Sequence, residues 1–208
     1  MDLKTTTRPK RRSAQFRQIR DLVLPPPDGR ALEVAEVGPG LAVRYLGRLA
    51  EEGLPGWDLV KRLESGVRRI PMPDACFENY ETLELKRALG GIPSSLTVID
   101  VNPRVVRIIA RRQAGVVPIV ADLAIWKPGA LVPLFARFDL VVAFAVLGRV
   151  PSGSKDVARA NIGALVKPDG VLLMDDDPGA EFMSITGFTD CFRRRPAAGH
   201  GPVQWVGD

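Results

Sequence analysis

Apolar residues recur along this chain with two alternating periods. From Ala31 to Val37 the run is short and mostly apolar. Val34, Ala35 and Val37 give it the character of a buried strand, and Glu36 stands one position before its end. It stops at Gly38-Pro39-Gly40, where two residues without a Cβ allow a tight turn and close approach of the backbone to a ligand. A helix is expected to follow, with Val43, Leu46 and Leu49 on its apolar side and its free amides directed over the turn. Further strands are read at Leu96 to Pro103 and at Val116 to Ala124. Two more fall in the nearly all-apolar run within Arg137 to Pro151 and in VLLM after Lys167-Pro168-Asp169-Gly170. Helical spacing governs Arg104 to Ala114, through Val105, Ile108 and Ile109, and also Asp156 to Leu165. A first amphipathic helix is expected over Ser13 to Leu24, with Phe16, Ile19, Leu22 and Val23 inward and Arg17 and Arg20 outward. Pro25-Pro26-Pro27-Asp28-Gly29 stops it.

This alternation predicts an α/β fold: a Rossmann-like, mostly parallel sheet with helices on both faces. The tail runs GFTDCFRRR and PVQWVG are expected to form an antiparallel C-terminal edge. Strand and helix alternate regularly except from about Leu54 to Gly91. That stretch is long for a βα connection and reads as a helical insertion after the first βα unit. Its apolar positions, Trp57, Val60, Leu63, Leu83, Leu85 and Leu89, need a surface to cover. It is expected either to cap the ligand crevice, with Phe77 and Tyr80 on the inner face, or to form an annex that packs on the sheet's flank or makes a dimer contact. Residues 1–12 read as a disordered basic arm and 13–208 as one domain.

Composition narrows the class. Hydrophobic residues make up 46% and charged residues 25%, as in a globular protein. No apolar run reaches the twenty or so residues that span a membrane, and no apolar segment follows the basic start as a secretory signal requires. Cys76 and Cys191 are too far apart for a CxxC pair and read as reduced thiols of a cytoplasmic protein. The single histidine, His200, excludes a zinc site of the common His/Cys type, and no metal is expected. The net charge of +5 is concentrated at both ends, in Lys4 to Arg20 and in Arg193-Arg194-Arg195. With no aromatic platform beyond Phe16 among the N-terminal basic residues, they read as a solvated arm rather than a nucleic-acid surface.

A GxG turn alone is weak as a signal. The third glycine of a dinucleotide fingerprint would be Val43, and no GxxxxGK string exists for a P-loop. The acids that end later strands add to it. Asp100 is placed to take both hydroxyls of a ribose, and Asp122 to accept from the exocyclic amine of an adenine. Glu36 is placed to meet the cationic end of an amino-acid portion, directly or through the turn's backbone. No lysine of the phosphate-binding kind accompanies the turn. An adenosine joined to a zwitterionic, sulfonium-bearing tail suits this set better than a phosphate chain.

In these pieces the chain resembles the class I S-adenosylmethionine-dependent methyltransferases. The matching strings are EVGPG (Glu36 to Gly40), VIDVNP (Val98 to Pro103), VADL (Val120 to Leu123), RFDLVVAFAVLGRV (Arg137 to Val150) and ALVKPDGVLLM (Ala164 to Met174), in the family's order. The resemblance implies S-adenosylmethionine as cofactor, with the methionine part at Glu36, Gly38 and Gly40. It also implies the ribose at Asp100, the adenine at Asp122 and the methyl-transfer end at Ala143 to Leu147. Ala42 stands where the family often has a third glycine. Sixty positions separate Gly40 from Asp100, where the family usually has its ribose acid about twenty residues after the turn, and Leu54 to Gly91 as an added helical cap explains the difference.

The implied activity is methyl transfer to a small-molecule acceptor. Such transfer needs alignment of a nucleophile with the methyl carbon and, for some acceptors, a proton acceptor. No residue declares itself as that base. Phe77, Tyr80 and Phe144 are the expected acceptor-side lining, and Asp175-Asp176-Asp177 reads as a solvated loop rather than a magnesium site. Two other functions fit the same pieces: aminopropyl transfer from decarboxylated S-adenosylmethionine, and a non-catalytic cofactor-binding or interaction protein.

Overall fold

The computed structural model describes residues 28–39, 80–185 and 190–196, the short strands at 42–43 and 77–78, and the single helical positions 16, 19 and 22. The core strand β1, Leu32–Val37, is buried at every position except Glu33, as a strand covered on both faces must be. It is hydrogen-bonded in parallel to β4, Ser94–Asp100, on one side and to β6, Phe138–Ala143, on the other. Outside β4 lies β5, Val116–Val120, and outside β6 lies β7, Val166–Met174. The sheet ends in β9, Cys191–Arg194, which runs antiparallel to β7 and to the edge strand β8, Phe182–Ser184. The seven-stranded order is therefore β5-β4-β1-β6-β7-β9-β8. This is the Rossmann-like, mostly parallel sheet with an antiparallel C-terminal edge that the alternation predicts. PVQWVG lies outside the described residues, and the partner of β9 is instead Phe182–Ser184.

Two layers cover the sheet. On one face, α1 (Tyr80–Ala88) and α2 (Pro103–Arg112) pack with Phe16, Ile19 and Leu22 against Leu32, Val34, Leu96, Val98, Leu140 and Val142. On the other, α3 (Lys155–Leu165) and the segment carrying Leu123, Leu131 and Leu134 cover Ala35, Val37, Ile99, Val141 and Leu172. Side chains that alternate along each strand thus feed two separate cores. α2 has clear sequence causes: Asn102 caps it by accepting from the Arg104 N–H at 3.0 Å, Pro103 fits the first turn, and Arg111 and Arg112 face the negative end of its dipole. The Lys167-Pro168-Asp169-Gly170 turn is taken up as an irregularity in the β6–β7 register. A Cβ on Gly170 would stand 2.8 Å from Val166 and 3.1 Å from the Phe138 carbonyl.

The opposite, amino-terminal edge of the sheet carries an ion cluster. Arg30 holds Asp139 through two hydrogen bonds of 2.7 Å each. The Glu33 N–H donates to the same carboxylate at 2.9 Å, and Lys167 Nζ donates at 3.0 Å. Arg194 donates to the Val166 carbonyl, and Arg193 to the Asp169 carbonyl at 3.0 Å. These two C-terminal arginines therefore brace the β7–β9 pair rather than forming a free basic tail.

One expected element is corrected. The chain leaving the glycine turn does not enter a helix at Val43: Ala42–Val43 is a short strand, β2, antiparallel to β3, Phe77–Glu78. A β-branched valine paired with an aromatic position suits an extended ladder, and the glycine turn provides no cap that would commit the chain to a helix. Leu46, Leu49, Trp57, Val60 and Leu63 lie outside the described residues. The end of the stretch read as an insertion has a core role, since Leu85 and Leu89 of α1 and its following turn are fully buried among Leu32, Val34 and Val98.

Candidate functional site

Strand order reverses at β1, with the chain moving outward through β4 to β5 before returning to β6. In open α/β sheets the crevice outside the carboxyl ends of the strands at such a switch point is where ligands bind. Glu36, Gly38, Asp100 and Asp122 all belong to this edge. Glu36 pairs in register with Val98 and Val142, two residues before the last of β4 and one before the last of β6. Asp100 is the last residue of β4. Asp122 stands two residues past β5, which ends at Val120 rather than running to the acid. Gly40 lies outside the described residues.

The glycine turn is fixed by its neighbours. Gly38 has φ +61°, donates its N–H to the Ile99 carbonyl at 2.8 Å, and faces Val146 so closely that a Cβ would stand 3.0 Å from Val146 Cγ2. Both the left-handed backbone and the close contact therefore favour glycine over any residue with a Cβ. Glu36 is 1% exposed and accepts a hydrogen bond from the Thr82 hydroxyl of α1. Its carboxylate lies within the fold, beneath the turn, and ties the first turn of α1 to the tip of β1.

Tyr80 opens α1 two residues before Thr82, at this same end of the sheet. Phe77 is paired in β3 with Val43, three residues past Gly40. Tyr80 is thus close to the end of β1 through Thr82, and Phe77 is tied by its ladder to the chain that leaves the turn. Phe144, immediately after β6, is buried and meets Phe16 edge-on with ring centroids 6.0 Å apart. Next to it Ala145 adopts φ +54°, held there by an N–H that donates to the Asp175 carboxylate at 2.9 Å. Of the three acids after β7, Asp175 therefore shapes the loop after β6. Asp176 and Asp177 accept from the N–H groups of Asp177 and Gly179, both at 2.9 Å. No group of three metal-ligating side chains occurs among the described residues. His200 and Cys76 lie outside them.

The two acids at the far side of the crevice are anchored locally. Asp100 Oδ1 accepts from the Asn102 N–H at 2.8 Å, and the Asp100 carbonyl from the Ala121 N–H at 3.1 Å. Asp122 Oδ1 accepts from the Ala124 N–H at 2.9 Å, leaving the exposed carboxylate oriented from its own loop. That loop is clamped from below by Asn161 of α3. Its amide nitrogen donates to the Leu123 carbonyl at 2.9 Å and the Ile125 carbonyl at 2.8 Å. Thr82, Asn161 and the attachment of Asp175 escape a reading of the sequence. For Asn161 a signal exists: it falls at helical spacing between Ala158 and Leu165, a polar residue on an apolar face.

The fold is a Rossmann-like α/β sheet with Gly38, Asp100 and Asp122 at its carboxyl edge. No protein-family model matches the sequence, and no curated protein matches it. Solved structures do resemble it. A Rhodobacter sphaeroides chain described as a Zn-dependent alcohol dehydrogenase is 16% identical, with a TM-score of 0.47 over 79% of this chain and 44% of that one. The SAM-bound amino pentose methyltransferase CalS10 from Micromonospora echinaspora is 15% identical, with a TM-score of 0.43 over 82% and 50%. An O-methyltransferase family protein from Burkholderia thailandensis is 13% identical, with a TM-score of 0.42 over 79% and 36%. The chain thus spans half or less of the length of each. The names include both a dehydrogenase and methyltransferases, and at these identities and TM-scores the likeness selects no activity. Among the described residues no helix is long and apolar enough to cross a membrane.

Proposed function

We propose that this chain binds S-adenosylmethionine in the crevice at the carboxyl ends of β1, β4 and β5 and transfers its methyl group to a small-molecule acceptor. The observation that carries the proposal is the convergence on one sheet edge of a constrained glycine turn, Asp100 and Asp122, on three adjacent parallel strands. In this assignment Gly38 and Gly40 let the backbone approach the methionine portion, Asp100 takes the ribose hydroxyls, and Asp122 accepts from the adenine amine. Glu36 acts through the backbone, since its buried carboxylate is engaged by Thr82. Phe77 and Tyr80 are assigned to the acceptor side; Phe144, within the stretch Ala143 to Leu147, is buried in the core against Phe16 and serves that end as packing. The residues present would align the acceptor and exclude water; the reactive methyl is the cofactor's own chemistry.

Calorimetric titration tests the proposal. S-adenosylmethionine and S-adenosylhomocysteine should bind with a Kd between about 1 μM and 1 mM, and NAD and ATP much more weakly. Preference for a pyrophosphate nucleotide would defeat it.

A further inference from the structure

Asn161 is 1% exposed in an α3 face otherwise made of Ala158, Ile162 and Leu165, where a polar side chain is costly unless its hydrogen-bonding groups are used. Its amide nitrogen meets two carbonyls, those of Leu123 and Ile125, which flank Ala124. The N–H of Ala124 is the donor that orients Asp122 Oδ1, at 2.9 Å. The connection is therefore direct: a buried amide on α3 fixes two successive odd-numbered carbonyls, and the peptide N–H between them fixes the carboxylate at the crevice. The side chains of Ile125 and Trp126 stand 57% and 52% exposed, and the Ile125 N–H donates back to the Asp122 carbonyl at 3.3 Å. Leu123 is the loop's apolar anchor in the core.

We infer that Asn161 is a positioning residue for recognition of the base, holding the Asp122 loop so that the crevice distinguishes a 6-amino purine from a 6-oxo purine. The inference rests on the cofactor reading above. A carboxylate is an acceptor, so it favours the amine of adenine over the carbonyl oxygen of hypoxanthine only if it is held in line with that edge. Changing Asn161 to Asp replaces a two-fold donor with acceptors facing two carbonyls, which releases the loop while conserving shape.

The experiment compares S-adenosylhomocysteine with S-inosylhomocysteine, which differ at that purine position. Calorimetry is run on the wild-type protein and on the Asn161→Asp, Asp122→Ala and double variants. The wild type should prefer the adenosine ligand by about tenfold or more. Asn161→Asp should reduce the preference to within about twofold by weakening the adenosine ligand alone, and should add nothing further in the Asp122→Ala background. In 5-fluorotryptophan-labelled protein the Trp126 resonance, assigned with Trp126→Phe, should sharpen towards the solvent position in the Asn161 variant. Should Asn161→Asp fail to fold, Asn161→Ser, which keeps one donor in a smaller volume, carries the same comparison. Equal weakening of both ligands, or additive losses in the double variant, would reduce Asn161 to a structural residue and overturn the inference while leaving the cofactor reading intact. A wild type that binds both ligands equally overturns it as well, and a wild type that binds neither removes the cofactor reading together with it.

Discussion

Thr82 of α1 and Glu36 of β1 meet through a hydroxyl–carboxylate hydrogen bond in the interior beneath the glycine turn, across 46 positions of sequence. The contact joins the strand that ends in the turn to the helix whose first residue is Tyr80. Replacing Thr82 by Val keeps the volume but deprives a buried carboxylate of a donor, so it should cost about 1–3 kcal/mol of stability. Urea unfolding of the variant should show a lower midpoint with an unchanged slope. An unaltered midpoint would mean that the bond adds nothing net.

Gly38→Ala should be harmful for two separable reasons, a left-handed φ of +61° and a Cβ 3.0 Å from Val146. The backbone part is about 1–2 kcal/mol. Adding Val146→Ala relieves the contact but not the backbone strain, so thermal unfolding of the double variant should recover only the steric part of the loss. Complete recovery would show that the φ carries no cost here.

The strands that position the site could be read from sequence, because β1 and β6 are covered on both faces: β6 carries the unbroken apolar run Leu140 to Ala143, and β1 is mostly apolar despite Glu33 and Glu36. Asp100 and Gly38 could be read for the same reason, as the positions where such runs stop. Val43 was ambiguous: a glycine turn followed by apolar residues has the same local pattern whether the chain coils or extends. Only the pairing with Phe77 decides it. β8 has a single buried residue, Phe182, and so leaves almost no pattern. The Thr82–Glu36 and Asn161–Leu123 contacts span 46 and 38 positions. No local spacing encodes a partner that far away.

Asp139 gives a pH prediction. Burial raises its pKa, but hydrogen bonds from Arg30, the Glu33 N–H and Lys167 outweigh that and hold it down at about 2. A depressed carboxyl contributes stability above its unfolded pKa and loses it as the pH falls through the folded value. With Arg30 standing in solvent, the contribution is discounted to about 1 kcal/mol. The stability gap between the wild type and Asp139→Asn, from urea unfolding, should therefore be full at pH 7 and close between about pH 4 and pH 2. A gap that persists at pH 2 would assign the loss to geometry rather than charge.

Asp100→Ala should weaken S-adenosylhomocysteine by about 2–3 kcal/mol, since a carboxylate taking ribose hydroxyls makes charge-assisted bonds. Its Oδ1 also accepts from the Asn102 N–H at 2.8 Å, so local structure is at stake too. Asp100→Asn keeps an oxygen for that N–H. If the ribose assignment holds, calorimetry should find this variant weakened as well, with thermal stability close to the wild type. Wild-type affinity in Asp100→Asn would leave the residue a turn former only.

The acceptor side yields the last prediction. Tyr80 begins the helix that Thr82 fastens to Glu36, and Phe77 lies in the ladder opposite Val43, three residues along the chain from Gly40. An aromatic residue placed there suits covering an acceptor and keeping water from the methyl being transferred. Tyr80→Ala should therefore lower turnover of the true acceptor while the affinity for S-adenosylhomocysteine stays within about threefold. Deuterium exchange across 77–88 should slow when cofactor product and acceptor are present together, because closing over both would protect backbone that neither protects alone. If turnover and exchange are both unchanged, this stretch is architecture, joining β1 to β4 through α1, and the acceptor must be held elsewhere on the edge.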